Sequence, residues 1–266
     1  MSSPPAVITR LLRRVARTRF LRLAAALATI AVVGASAVSG ASAASLGGLT
    51  TRALTAATMA SVTGAPVVLA WENFNAANGT NINGTVTDGG GDTWVVPRCT
   101  WRVQSNQADS TVGDCPLISD PGVFNYSAEV TVSRNGSTTW DAGLIVNSNL
   151  AATQFLTAEY TAASNGSLEL WAFNGGWTNI GLVTNLYPGG VGTAPASIVL
   201  RFEVPAPVFP ATTSVLRGYI NGNPVVSATL TGPEQTVFKN ATHRHAGVFT
   251  YFDGTSTFDN YHVETP

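Results

Sequence analysis

The chain has 266 residues, 45% hydrophobic and only 11% charged. Six of its fourteen basic residues lie within residues 1–43, which hold no acid; residues 44–266 carry eight basic against fifteen acidic groups, a charge of −7, with Lys239 their single lysine. So acidic a surface argues against nucleic acid and anionic membrane as partners, because both are held by basic patches.

The first 43 residues read as a secretory signal peptide. Arg10, Arg13, Arg14, Arg17, Arg19 and Arg22 form the basic region, Leu23 to Val38 the apolar run, and Ala41-Ser42-Ala43 the small-x-small cleavage site. Arg13-Arg14 raises a twin-arginine route, but Val15-Ala16 stand where that signal carries a bulky apolar pair, so the general secretory route is favoured. The apolar run is shorter than the roughly 20 residues of a membrane span. Cleavage is therefore expected over retention as an anchor, leaving no stable membrane insertion. Residues 44–66, rich in Ala, Ser, Thr and Gly and closing on Gly64-Ala65-Pro66, read as a flexible or weakly helical leader.

From Val67 the pattern changes to short strand-like runs separated by Gly, Asn, Asp and Pro. They are Val67–Phe74, Thr93–Val96, Thr100–Gln104, Val123–Ser133, Asp141–Ser148, Gln154–Ala162, Ser167–Phe173, Thr178–Thr184, Ser197–Val204, Ser214–Ile220, Val225–Thr231, Ala246–Phe252 and Thr257–Glu264. Asn221-Gly222 and Asp253-Gly254 each sit between two such runs and suit two-residue hairpins, whose central positions need positive φ. No helix is expected. This many antiparallel strands in one domain, residues 67–266, predict a two-sheet sandwich, the arrangement in which each sheet buries one apolar face. Cys99 and Cys115, the only cysteines, read as a disulfide in an exported chain, worth about 3 kcal/mol by loop closure. A metal is the lesser reading, since two thiolates alone make a poor site.

Several segments, in their order along the chain, resemble the concanavalin A-like lectin/glucanase superfamily, and in particular laminin-G-like jelly-roll domains of exported bacterial proteins. They are Trp71-Glu72-Asn73-Phe74, Gly79-Thr80-Asn81-Ile82-Asn83-Gly84, Gly90-Gly91-Asp92-Thr93-Trp94, Ala142-Gly143-Leu144-Ile145-Val146, Leu168-Glu169-Leu170-Trp171 and Phe258-Asp259-Asn260-Tyr261. The resemblance spans residues 67–266 and implies a jelly roll whose first and last strands lie side by side. Its members bind glycans, hydrolyse them or mediate adhesion. Family glucanases carry a Glu-x-Asp-x-x-Glu strand; that motif is absent here, so an enzyme would need carboxylates converging from separate strands.

Four constellations remain. In Ser167–Phe173 the alternation sends Leu168, Leu170 and Ala172 to one face and Glu169, Trp171 and Phe173 to the other. With Trp177, Asn174 and Asn179 around the turn Asn174-Gly175-Gly176, this makes a candidate glycan platform of stacking rings and hydrogen-bonding groups; Trp71, Trp94 and Trp101 are assigned to the core. Paired terminal strands would bring Glu72 and Asn73 towards Asp259 and Asn260, a candidate structural calcium site with Glu72 and Asp259 as ligands, and Asp88 and Asp92 form an oxygen-rich loop. A two-residue turn at Asp253-Gly254 would pair position 245 with 262 and 243 with 264, gathering His243, His245, His262 and Glu264 into a candidate zinc or copper site. There is no serine-nucleophile elbow, and phosphate-cradling and dinucleotide glycine patterns lack the strand-to-helix context they need. The expected role is an exported, non-catalytic module that binds carbohydrate or an envelope component. The alternatives are an adhesive protein with a protein partner and a polysaccharide hydrolase or lyase with a dispersed site. The sequence does not set the oligomeric state.

Overall fold

The computed structural model describes residues 65–266 except 111, 135–140, 163–164, 207–212 and 252–255. The expected signal peptide, nearly all of the leader and the Asp253-Gly254 turn lie outside the described residues.

The chain forms a sandwich of two antiparallel sheets. The larger runs β12 (Asn223–Leu230), β11 (Ser214–Ile220), β10 (Ser197–Val204), β5 (Tyr126–Arg134), β14 (Ser256–Glu264), β3 (Gln107–Asp109) and β2 (Arg102–Gln104), with β1 (Val68–Glu72) also on β14. The smaller runs β4 (Cys115–Ser119), β13 (His245–Thr250), β6 (Asp141–Ser148), β7 (Gln154–Thr161), β8 (Ser167–Asn174) and β9 (Trp177–Thr184). The terminal strands pair as the resemblance implies, with Trp71 opposite His262 and Glu72 opposite Tyr261. Period-2 alternation explains most of the core: Val130, Val132, Leu200 and Phe202 from one sheet face Leu144, Leu156, Leu168 and Leu170 from the other. The Asn221-Gly222 turn forms as expected, with φ of 50° and 75° and Ile220 opposite Asn223.

Four expectations need correction. Thr93–Val96 is not a strand but makes single bridges, Val86 to Thr93 and Val95 to Ile118. The strand β4 was not anticipated, because all five of its residues are buried and its sequence therefore shows no alternation. A short helix, α1 (Gly232–Phe238), closes one end of the sandwich. It starts at a capping box in which the Glu234 carboxylate accepts the Thr231 N–H (2.7 Å) and hydroxyl (2.6 Å). Last, β13 and β14 are not a hairpin: β13 pairs with β4 and β6, while β14 pairs with β5, β1 and β3 in the other sheet.

Polar groups fasten the sheets where side chains cross the core. The Tyr126 hydroxyl, from β5, accepts the Asn147 N–H of β6 (2.7 Å) and donates to the His245 carbonyl of β13 (3.1 Å). Asn147 itself adopts φ of 48° and donates its amide to the carbonyls of Phe124 and Phe238. Cys99 and Cys115 are joined, as expected, with Cα atoms 6.0 Å apart.

Candidate functional site

The β8 alternation places the candidate platform as the sequence predicts. Leu168, Leu170 and Ala172 are buried in the inter-sheet core, and Glu169, Trp171 and Phe173 are half-buried on the outer face of the six-stranded sheet. Register then sets their neighbours. Trp171 lies between Thr157 of β7 and Asn179 of β9, Phe173 between Phe155 and Trp177, and Glu169 between Glu159 and Leu182.

This outer face carries a small core of its own, which the sequence reading did not foresee. Ile118, Ile145, Ala152, Phe155, Phe249 and Tyr251 are buried there, with Val95, Phe173 and Trp177 packed against them. Trp177 is the hub, its ring centroid 4.9 Å from Phe173, 5.5 Å from Tyr251 and 5.6 Å from Phe155. Trp171 meets it edge-on at 86° and 6.1 Å, in the tilted geometry that the ring quadrupoles favour. Trp177 therefore anchors the cluster more than it presents a free face, and Trp171 stands at the cluster's rim.

Polar groups flank the rim. Glu169 accepts the Ser167 hydroxyl (3.1 Å) and the Asn179 amide (3.4 Å), which fixes its carboxylate on the sheet surface. Asn174, at the β8–β9 turn, accepts the Gln154 amide (2.7 Å), and Gln154 reaches back to His243 Nε2 (3.1 Å). Sequence reading missed Glu159. It is fully buried and stands directly across from Glu169, so two carboxylates on adjacent strands share one face. Only the β7–β8 register brings them together.

The histidines do not converge. His243 Nδ1 contacts Asn240 and Thr242 (both 3.0 Å), and burial together with His245 pushes its pKa below the usual imidazole value. His245 Nδ1 faces the Ser148 carbonyl (3.1 Å), while His262 lies on the other sheet, 3.9 Å from Glu129. The metal expectation built on the hairpin falls with it, because the two strands belong to different sheets. Nor does Glu72 meet Asp259. Glu72 turns inward, accepting the Phe74 N–H (2.8 Å) and Trp94 Nε1–H (3.2 Å), and the acid acting on it is Asp88. Burial, aided by Asp88, raises the Glu72 pKa. The two acids line a cleft of about 310 Å³ with Phe74, Thr80, Ile82 and Thr85. Asp259 instead accepts the N–H of Asn260 (2.7 Å), and Asp88 that of Asn73 (3.0 Å). Asp92 is tied to Thr87, whose hydroxyl accepts its N–H. Among the described residues no group of three or more His, Cys, Asp or Glu side chains is placed to hold a metal ion.

Trp94 and Trp101 fill the core as expected, fully buried. Trp71 does not: it points outward and is 40% exposed, with the neighbouring acid, Glu72, taking the inside position.

No protein-family model and no curated protein matches the chain. Solved structures do. The chain is similar to the carbohydrate binding module CBM66 of Bacillus subtilis at 16% identity and a TM-score of 0.48, over 70% of this chain and 98% of that one. A GH43 protein of Bacillus licheniformis matches at 11% identity and a TM-score of 0.50, over 74% of this chain and 39% of that one. A Bacillus subtilis protein with a galectin-like fold matches at 7% identity and a TM-score of 0.44, over 75% and 96%. Likeness at these identities is likeness of fold, a two-sheet antiparallel β-sandwich, and function rests on the site itself.

Proposed function

We propose that this domain is an exported, non-catalytic carbohydrate-binding module whose ligand lies on the outer face of the six-stranded sheet, along β8 and β9. One observation carries the reading: the half-buried Trp171 ring stands at the rim of the aromatic cluster beside Glu169 and Asn179, which are already hydrogen-bonded to each other. A sugar presents C–H groups on one side and hydroxyls around its edge. A ring held by its neighbours, with a fixed carboxylate and amide alongside, satisfies both at low ordering cost. The basic–apolar–small-residue leader and the disulfide support a place outside the cell, where thiols oxidise.

A second reading, hydrolysis, is favoured by Glu159 and Glu169 standing opposite each other on adjacent strands, since glycosidases work with a pair of carboxyl groups. Binding without turnover ranks first because Glu159 is fully buried, out of reach of a bond lying in solvent.

The test is retention of the purified domain on insoluble cellulose, xylan, chitin and fructan, with Trp171→Ala and Glu169→Gln in parallel. Retention on one of them, lost in both variants at unchanged melting temperature, is the expected result. Failure on every polysaccharide would sink the reading and favour a protein partner. Release of reducing ends, abolished by Glu169→Gln, would make the domain an enzyme.

A further inference from the structure

We infer that the opposite side of the sandwich, the outer face of the eight-stranded sheet, is a second binding site, built for a neutral oligosaccharide chain lying across the strands. The register assembles it. Trp71 of β1 pairs with His262 of β14, His262 with Glu129 of β5, Glu129 with Arg201 of β10, and Arg201 with Tyr219 of β11. These five outward residues form one continuous row. At the usual spacing between strands, the four steps from Trp71 to Tyr219 span roughly 19 Å. A parallel row beside it carries Glu264, Ser127, Glu203 and Arg217.

Polar side chains on a solvent-facing sheet are ordinary. Three observations separate this face from that case. The first is its bracing. Arg201 donates to Glu264 (2.5 Å) and to the Ser127 hydroxyl (2.9 Å), stands 4.0 Å from Glu129 and lies over the Tyr219 ring at 6.0 Å. Tyr219 donates to Glu203 (2.5 Å), and Glu203 lies 3.6 Å from Arg217. Donors and acceptors are thus fixed in place before any ligand arrives, which removes much of the ordering cost of binding.

The second is the exposed indole. Trp71 is 40% exposed, yet its ring is seated: the strand exchanges two backbone hydrogen bonds (3.1 Å each) with Gly89, and the ring lies across that glycine. A Cβ on Gly89 would stand 1.8 Å from Trp71 Nε1 and 2.2 Å from Cδ1. A bare backbone at this position keeps a large apolar ring in solvent on one edge of the row. Alternation along β1 turns the ring outward, since Ala70 and Glu72 on either side of it are buried, and Gly89 gives it a seat there.

The third is charge. The two rows hold Glu129, Glu203 and Glu264 against Arg201 and Arg217, and each arginine has an acid beside it. A face compensated in this way attracts neither a polyanion nor a polycation. Its free valences are hydrogen-bonding edges, and its apolar contribution is one ring at an end. Sugar hydroxyls and a pyranose face complement that pattern. With the first platform on the other sheet, the module would hold two glycan segments on opposite sides, so this inference extends the proposed function, though each face stands on its own residues.

The experiment is an NMR titration of the exported, oxidised protein with cellohexaose, xylohexaose and a fructo-oligosaccharide, using wild type, Trp71→Ala, Gly89→Ala and Trp171→Ala. The expected result is shift changes at Trp71, His262 and Tyr219 with at least one of the three probes. Affinity at that face should fall about tenfold or more in both Trp71→Ala and Gly89→Ala, as for an anchoring aromatic, and stay unchanged in Trp171→Ala. Gly89→Ala retains the indole, so its effect separates displacement of the ring from loss of it. Absence of shifts on this row with every probe, or full affinity in Trp71→Ala, overturns the inference. Shifts confined to the β8–β9 face would overturn it while leaving the proposed function standing; shifts confined to this row would do the reverse.

Discussion

Removing a single hydroxyl, by Tyr126→Phe, tests how the two sheets are tied together. The ring keeps its place and volume, so packing is preserved and only hydrogen bonding changes. Two bonds go: the one from the Asn147 N–H at 2.7 Å and the one to the His245 carbonyl at 3.1 Å. Asn147 is fully buried, so its N–H loses its acceptor where water does not reach. An orphaned buried polar group costs about 1–3 kcal/mol, and the carbonyl, already in a strand, adds little. We expect a loss of about 2 kcal/mol. For a domain of this size that lowers the melting temperature by roughly 4–8 °C. The assays are urea unfolding, with an unchanged m-value, and amide exchange by NMR, in which the Asn147 proton should lose protection before its neighbours. A melting temperature within a degree of wild type would refute the reasoning. So would a normal drop in stability with Asn147 still protected, because the cost would then come from packing.

Two further outcomes rest on electrostatics and covalent structure. Burial pushes Lys239 down to about 8, although its ammonium donates to the Pro205 carbonyl and the Ser214 hydroxyl. A lysine whose folded pKa is depressed withholds stability at low pH. Its contribution is complete above the unfolded value near 10.5 and is lost as pH falls through about 8. Between pH 7.5 and 9.5, wild type should therefore gain stability relative to Lys239→Gln, as measured by paired urea titrations; equal pH profiles would remove the idea. Replacing both cysteines by serine should cost about 3 kcal/mol, read from the shift in urea midpoint.

Much of the architecture is written in local pattern. The β8 alternation assigned its two faces correctly, and Asn221-Gly222 forms its hairpin because Asn and Gly tolerate positive φ at both positions. The misreadings share one physical cause: facts carried by pairing rather than by local sequence. A turn dipeptide between two apolar runs looks the same whether the runs pair with each other or enter different sheets, and β13 and β14 do the latter. The opposition of Glu159 and Glu169, ten residues apart, and the row from Trp71 to Tyr219 exist only once strands are in register. The first strand inverts the usual rule. Glu72 goes inside because Phe74 N–H and Trp94 Nε1–H satisfy it, and Trp71 goes outside because bare Gly89 seats it. Helix α1 was legible in Thr231-x-x-Glu234, but Gly232-Pro233 between them reads as a strand-ending turn.

The disulfide has a consequence for the life of the chain before it is folded and oxidised. β4 is the outermost ladder strand of the six-stranded sheet, and all of its residues are buried. Its free margin is shielded by the segment around Val95, through reciprocal bonds between Val95 and Ile118 of 2.8 and 3.0 Å. Cys99 ties that segment to Cys115, the first residue of β4, and Arg98 adds bonds to the carbonyls of Asp114 and Ala152. A chain kept reduced holds this cover by noncovalent contacts alone. When the cover lifts, an apolar strand margin stands open to recruit another chain. Oxidation is then a guard against self-association as much as a source of stability, and production in a reducing cytosol should yield aggregates that the oxidised protein does not form.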